Sequence, residues 1–505
     1  MSESLRNHVK AFFHPYLLSL KTLYFFQLGA QSCLVPYVPL YIKHLGLNAS
    51  ENGIIFGSLP FVSMLAKPVT GALSDKFKAP YALARIFSLM QLAFFISVYF
   101  VPSMNVLHPI HNITCHTSNT AYYDSSNLGN FTCINLIDNS TFSAQVPTAN
   151  ISSYVADQCD LNCSWIPPLE TTADGISIRW TLQFWLSGLL LIFAWYGYAS
   201  VVTLDDSIAF GIVNSAPVPT TYGANRVLGT MGWAIGALAV GFLLDEFSDT
   251  SPQDRDFTPA FIAFAVAAVL GVASTLFLPK QILVENEKLL LSVTKSVFTF
   301  EVLLFCAGTF VAGINSGLLY GYLAWYQSDL GATNLLLGIT VFVQCCYEAP
   351  MMAVSGWIIK KIGYHGCMLL CLVSFGIRFL AYGLIVDPWF VLLIDIVHSV
   401  GFGLSYAAMT NFAFAKAPVG GTATLQGILG STYEGIGQGI GGIAAGLFYQ
   451  QYGARATWLG YSVFSFTASI FYAIFSFIHS RSAKKSADLQ TLAVSLQSMD
   501  FNQKP

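Results

Sequence analysis

Nine ionisable side chains fall within otherwise apolar stretches: Lys67, Asp205, Asp206, Arg226, Glu348, Arg378, Asp395, His398 and Glu434. In hydrocarbon a charge is costly unless it meets a partner or a wet cavity, so such residues mark solute and ion pathways. In VVTLDDSIAF the pair Asp205 and Asp206 sits deep in one apolar segment, and YGANRVLGTMGWAIG opens the next with Arg226 and carries Trp233. Arg226 with either aspartate can hold a polar solute by charge-assisted hydrogen bonds. The alternative is a structural pair that seals one side of the membrane.

A second group lies in the later half. QCCYEAP places Glu348 two residues before Pro350, which frees a backbone carbonyl and kinks its helix beside a cavity or a polar neighbour. Arg378 is the cation at comparable depth, so a Glu348–Arg378 pair is expected. Asp395 and His398 are three residues apart and share one helix face. Glu434 stands in the narrow helix LQGILGSTYEGIGQGIGGIAAGLF and is expected to face a central cavity. A carboxyl group alternating between a salt-bridged and a desolvated neutral state would couple a proton to solute movement.

Gly437, Gly439 and Gly442 spell G-x-G-x-x-G, but they lie in an apolar helix with no preceding strand, which excludes a dinucleotide fold. Small residues at Gly437/Gly441 and Gly442/Gly446 instead let helices approach closely. There is no nucleophile elbow, Walker A loop or metalloprotease helix. The expectation is therefore no enzyme, no cofactor and no metal, with transport driven by gradients.

The elements that must position these groups follow from composition. The 505 residues are 54% hydrophobic and 10% charged, and the net charge of −3 argues against nucleic acid. Apolar segments of about 20 residues recur along the chain and predict an all-α polytopic membrane protein of twelve transmembrane helices. They are Tyr16–Tyr41, Gly53–Leu73, Leu83–Val101, Trp180–Phe210, Gly223–Leu244, Phe257–Leu278, Val297–Tyr326, Leu335–Ile359, Cys367–Ile385, Trp389–Phe414, Ala423–Tyr449 and Thr457–Ile478. A charged linker over 279–296 divides them into a bundle over 16–278 and a bundle over 297–478. The echo of Gly71-Ala-Leu-Ser-Asp-Lys-Phe in Gly356-Trp-Ile-Ile-Lys-Lys-Ile supports the division. Residues 1–15 form an N-terminal segment without a cleavable leader, and the polar tail 479–505 reads as disordered.

Lysines and arginines collect in the segments that are cytoplasmic if both termini are inside. The same orientation puts the loop 102–179 outside, with glycan acceptors Asn112, Asn130, Asn139, Asn150 and Asn162; Asn48 is a sixth, in a separate outside segment. Cys115, Cys133, Cys159 and Cys163 in that loop can form up to two disulfides, with a zinc site the lesser alternative.

Gly71, Asp75 and Lys76 resemble the signature loop between helices two and three of the major facilitator superfamily. Pro36–Phe56 is similar to its lactose-permease-like branch, in particular the family of major facilitator superfamily domain-containing protein 6. The chain departs at Lys78, where the signature often has glycine. The resemblance implies two pseudo-symmetric six-helix bundles (the major facilitator fold) and a substrate site in which Asp205 or Asp206 pairs with Arg226 and Trp233 stacks on a sugar ring. It also implies an acid before the helix-eight proline with an arginine in helix nine, as at Glu348 and Arg378, and proton coupling near His398. The branch's acid partner is replaced by Gly401, so Asp395, Glu434 or Glu348 would supply the proton site.

Gly71, Asp75, Lys76 and Arg85 are expected to form the inner gate, with Gly71 allowing close packing. Lys67, about two turns deeper than Asp75, is expected to snorkel to the surface. The expected function is a secondary active transporter of a polar small solute, coupled to protons, in the plasma membrane or an endomembrane. The alternative is a cell-surface receptor that recognises an extracellular protein ligand through the large loop.

Overall fold

The computed structural model describes residues 14–103, 111–114, 119–123, 130–135, 141–145, 180–218, 220, 222–247, 256–279, 299–417 and 422–501. The first helix, α1, runs over Pro15–Leu34 and, after a 3-10 turn at Val35–Tyr37, over Val38–His44. There follow α2 (Ala49–Phe77), α3 (Pro80–Tyr99), α4 (Leu182–Asn214), α5 (Tyr222–Phe247) and α6 (Thr258–Ser274). In the later half α7 is Phe300–Asp329; α8 and α9 are the two parts of Asn334–Leu384, and α10 lies within Pro388–Lys416. The next helix, α11, begins at Thr422–Gly430 and continues into Gln438–Phe501, whose later part is α12.

The boundaries have local causes. Asn48 and Glu51 form a reciprocal capping box that opens α2, and Thr181 and Thr333 cap α4 and α8 with their hydroxyls. Gly363 (φ 73°) separates α8 from α9 and Gly453 (φ 79°) separates α11 from α12, a conformation that glycine adopts without a Cβ clash. Lys78 closes α2 in the same left-handed region (φ 50°, ψ 33°). That is the physical reason the signature favours glycine at this position.

Among the described residues, ten helical stretches are long and apolar enough to cross a membrane. One of them, Thr424–His479, contains both α11 and α12, and α1, interrupted by its 3-10 turn, completes twelve helical passes among the described residues. The expected helices are therefore present. The tail is corrected: α12 continues to Phe501, because SAKKSADLQTLAVSLQ is rich in strong helix formers.

A second correction concerns 103–177, a compact unit of its own and the site of strands in an otherwise helical chain. There β1 (His111–Thr114), β2 (Asn119–Tyr123), β3 (Asn130–Asn135) and β4 (Thr141–Gln145) form an antiparallel sheet in chain order. His111 is opposite Tyr123, Ala121 opposite Cys133, and Cys133 opposite Phe142. Thr, Tyr, Ile and Phe favour strands, and they recur in these four segments of the expected loop. Asn112, Asn130 and Cys133 fall on these strands, whereas Cys115, Asn139, Asn150, Cys159, Asn162 and Cys163 lie outside the described residues, as do residues 280–298, which take in the linker 279–296 except Pro279.

The expected glycine packing of α11 is present. A Cβ at Gly441 would lie 2.1 Å from the Ile314 carbonyl oxygen of α7, and one at Gly446 would lie 2.8 Å from Gly53 Cα of α2. This helix is thus wedged between its own half and the other, backbone against backbone. Another cross-half contact pairs α5 with α8, where a Cβ at Gly241 would sit 3.1 Å from Gly338 Cα.

Candidate functional site

Apart from one between Lys67 and Glu434, the hydrogen bonds that join the two halves among the described residues gather at the end where α1 and α7 finish. Lys43 meets Asp329 at 2.5 Å, and the Tyr322 hydroxyl donates to the Ala49 carbonyl at 2.6 Å. Asn52 donates to the Gly321 carbonyl, and the Ala49 N–H to Gln450. Asp245, at the end of α5, accepts the Asn334 and Leu335 N–H groups of α8, each at 2.8 Å. A carboxylate from one half thus caps the positive end of a helix in the other. Sequence reading missed Asp245 because it sits at a helix end, where a charge draws no notice.

Below this closed end the halves enclose a cavity of about 310 Å³ lined from both sides. The first half contributes Lys67, Asp206, Arg226 and Trp233; the second contributes Tyr320, Tyr406 and Glu434. A smaller lobe of about 100 Å³ continues toward the closed end past Trp233, Tyr320 and Phe402 to Arg378 and His398. In the other direction a wider opening of about 690 Å³ shares Ser63, Lys67, Tyr406 and Glu434 with the central cavity.

The expected pair between α4 and α5 is present and is made by Asp206, not Asp205. Arg226 Nη1 stands 3.4 Å from Asp206 Oδ2, and the Tyr24 hydroxyl donates to Oδ1 at 2.9 Å. Successive helix residues point about 100° apart, so Asp205 turns away from the cavity and is buried at 3% exposure. Trp233 lines both the main cavity and its smaller lobe.

In the second half the expected Glu348–Arg378 pair is not formed. Arg378 points toward α10, where its Nη2 and Nε lie 2.6 and 3.1 Å from Asp395 Oδ1. The Tyr382 hydroxyl donates to the same oxygen, and Gln344 Nε2 to Oδ2 at 2.8 Å. Arg378 and Asp395 are 2% and 0% exposed, so each compensates a charge that would otherwise be stranded. Gln344, one turn before Glu348 on α8, takes the place assigned to the acid, while Glu348 packs against Gly403.

Arg378 Nη1 is 2.8 Å from His398 Nδ1. Because a guanidinium only donates, Nδ1 accepts and the ring proton is assigned to Nε2. The structure therefore unites Arg378, Asp395 and His398 and leaves Glu348 and Glu434 apart from them.

Glu434 binds Lys67 at 2.8 Å across the halves, so the lysine reaches the cavity and does not snorkel to the surface. Proline 68 and the π-turn Ser431–Gly437 set the two backbones at this point. Irregular turns of that kind recur at functional sites, but nothing in residue types announces them.

At the gate, Arg85 Nε donates to Thr275 at 3.0 Å and Lys76 lies over the Phe77 ring; the side chain of Asp75 lies outside the described residues. A Cβ at Gly71 would meet nothing within 4 Å in this conformation, and the same holds at Gly356. The close packing expected of Gly71 is absent because the halves part at this end.

The model of the MFS_1 like family matches residues 17–460. The chain is 21% identical over 462 residues to a "Major facilitator superfamily domain-containing protein 6-like" protein of Danio rerio, covering 85% of this chain and 82% of that one. It is 25% identical over 279 residues to the maltose permease of Geobacillus stearothermophilus, covering 52% of this chain and 65% of the permease. Among solved structures it is similar in fold to the nucleoside transporter NupG, with a TM-score of 0.64 at 14% identity over 91% of this chain and 98% of that one.

Proposed function

Because the chain belongs to the MFS_1 like family of the major facilitator superfamily, whose members here are membrane transporters and not enzymes, we propose that it moves a small polar solute by alternating access. The observation that carries the reading is the cavity of about 310 Å³ between the halves, closed at one end and open at the other, with opposite charges supplied from both sides. Asp206 and Arg226 bind polar groups of the solute, and Trp233 offers it a flat apolar face. Lys67–Glu434 bridges the neck between the cavity and the wider opening.

The closed end faces outside in this reading, since positive side chains collect at the other end and both termini are then cytoplasmic. The Gly71–Lys76 turn and Arg85 close the inner end in the opposite state. A maltose permease and a nucleoside transporter among the similar proteins favour a ring-bearing, hydroxyl-rich solute. We propose proton coupling because two carboxyl groups within the membrane, Asp206 and Glu434, line the cavity.

The test is uptake of labelled maltose, uridine and a wider solute panel into proteoliposomes with and without a pH gradient. Arg226→Ala should lower uptake of the transported solute at least tenfold. Wild-type uptake by that variant would show the site to be misplaced.

A separate compact unit with its own sheet favours a second role, recognition of an extracellular protein through 103–177. Glycans on the loop acceptors and on Asn48, and disulfides among its four cysteines, belong to that reading. Shortening the loop should leave uptake intact and abolish partner binding; loss of uptake instead would count against two separable roles.

A further inference from the structure

The solute site uses Asp206 but leaves its neighbour unexplained. Asp205 is 3% exposed and lines, with Gln27 and Gln31 of α1, a closed space of about 10 Å³. That is about the least volume that holds one water molecule. Asp205 Oδ1, Gln27 Oε1 and Gln31 Oε1 are all buried there and accept no hydrogen bond. The Gln27 amide nitrogen donates to Ser88 at 2.9 Å. The Gln27 side chain is within hydrogen-bonding reach of Asp205, but oxygen acceptors predominate in this space and Asp205 forms no ion pair among the described residues.

The titratable groups around it are few. From α1 comes Tyr24, which donates to Asp206, with Lys21 one turn further along; from α5 comes Arg226, which is engaged by Asp206. On the α3 side the contact is Ser88, which carries no charge. A buried carboxylate without a compensating cation is unfavourable by several kcal/mol, and such a group is neutralised in practice. A proton does this without needing room, and it turns Asp205 into a donor for an orphaned glutamine oxygen.

We infer that Asp205, enclosed with Gln27 and Gln31 between α1 and α4, is the proton-carrying residue of the transport cycle. This rests on the transporter reading above. The closed space and the central cavity share Val202, Asp206 and Arg226, so the Asp206–Arg226 pair is the partition between them. A solute that engages Arg226 draws the guanidinium from Asp206 and leaves that carboxylate charged beside Asp205, which disfavours loss of the Asp205 proton while solute is bound. The O–H bond on Asp205 forms with H⁺ from water on the side from which the solute enters, before the solute binds. The same bond breaks, returning H⁺ to water on the opposite side, as the solute leaves. Proton and solute therefore travel together, and the Arg378–Asp395 network keeps a structural role.

The test uses purified full-length protein in liposomes. Infrared difference spectra between acid and alkaline buffer should show a protonated-carboxyl C=O band that disappears in Asp205→Asn and persists in Asp206→Asn. Asp205→Asn should retain exchange of labelled uridine or maltose between equal pools yet lose at least tenfold of its accumulation under an acid-outside gradient.

A band that survives in Asp205→Asn, gradient-driven accumulation equal to wild type, or accumulation that follows sodium and ignores pH would overturn the inference. If wild-type protein moves none of the solutes in the panel, the transporter reading fails, while the infrared band still decides whether Asp205 holds a proton. Should Asp205→Asn yield no folded protein, Gln31→Leu removes an acceptor and must shift the band; an unshifted band again overturns the assignment.

Discussion

Replacing Asp395 by asparagine tests whether the Arg378 network is a structural ion pair or a titrating part of the transport cycle. Asparagine keeps the shape and one oxygen for Tyr382, but Arg378 loses its counter-charge while remaining 2% exposed. Breaking a buried pair by removing one partner costs about 3–5 kcal/mol. Asp395 accepts from Arg378 twice, from Tyr382 and from Gln344, so the middle of that range applies. A loss of about 4 kcal/mol is close to a thousandfold in the folded-to-unfolded ratio. For a cooperative unit of roughly 150–250 residues it lowers the melting temperature by about 8–16 °C.

The assay is thermal unfolding of detergent-purified protein followed by tryptophan fluorescence, which the Trp458 ring packed on Tyr382 should report. The double variant Asp395→Leu with Arg378→Met should recover at least half the loss, because it removes both charges together. Melting of Asp395→Asn within about 2 °C of wild type would refute the reasoning, as would a double variant less stable than either single one.

Exchanging the charges of the bridging pair tests its role at the neck: Lys67→Glu or Glu434→Lys alone should reduce solute uptake at least tenfold, and the two together should restore much of it. Uptake by the double variant no better than by the single ones would mean that the pair does more than bridge. Gly446→Leu should force the closed end apart, since even a Cβ would lie 2.4 Å from the Tyr322 hydroxyl and 2.8 Å from Gly53 Cα. A cysteine placed at Lys43 should then react with an impermeant maleimide at least tenfold faster, and an unchanged rate would oppose the assignment of this end as the closed gate. Lys78→Gly should stabilise the protein by about 1 kcal/mol by relieving a left-handed residue, read as a small rise in melting temperature.

The twelve helices were legible because hydropathy and length are written into every segment, and the two halves because a charged linker and an internal echo divide them. Arg226 with an adjacent aspartate, Trp233 at the cavity wall and the close-packed glycines of α11 were legible for the same reason: residue type and spacing alone constrain them. What could not be read was the choice among neighbours. A 3.6-residue period assigns a face, yet the partner of Arg378 depends on how α8 tilts, and Gln344 and Glu348 differ by one turn. Lys67 and Glu434 are 367 residues apart, and no local pattern links them. The four strands were less legible because cysteines and sequons mark an external segment without fixing its local structure.

Gly71 and Gly356 have empty space where a side chain would go. Alanine at either position should raise the melting temperature of this conformation slightly, by its helix propensity over glycine, and yet slow the cycle under the gate reading, in which those helix ends come together in the opposite state. The chain thus carries residues whose selection cannot be accounted for by the stability of the form in which they are seen. A survey of melting temperatures would pass over them, whereas one of turnover rates would find them.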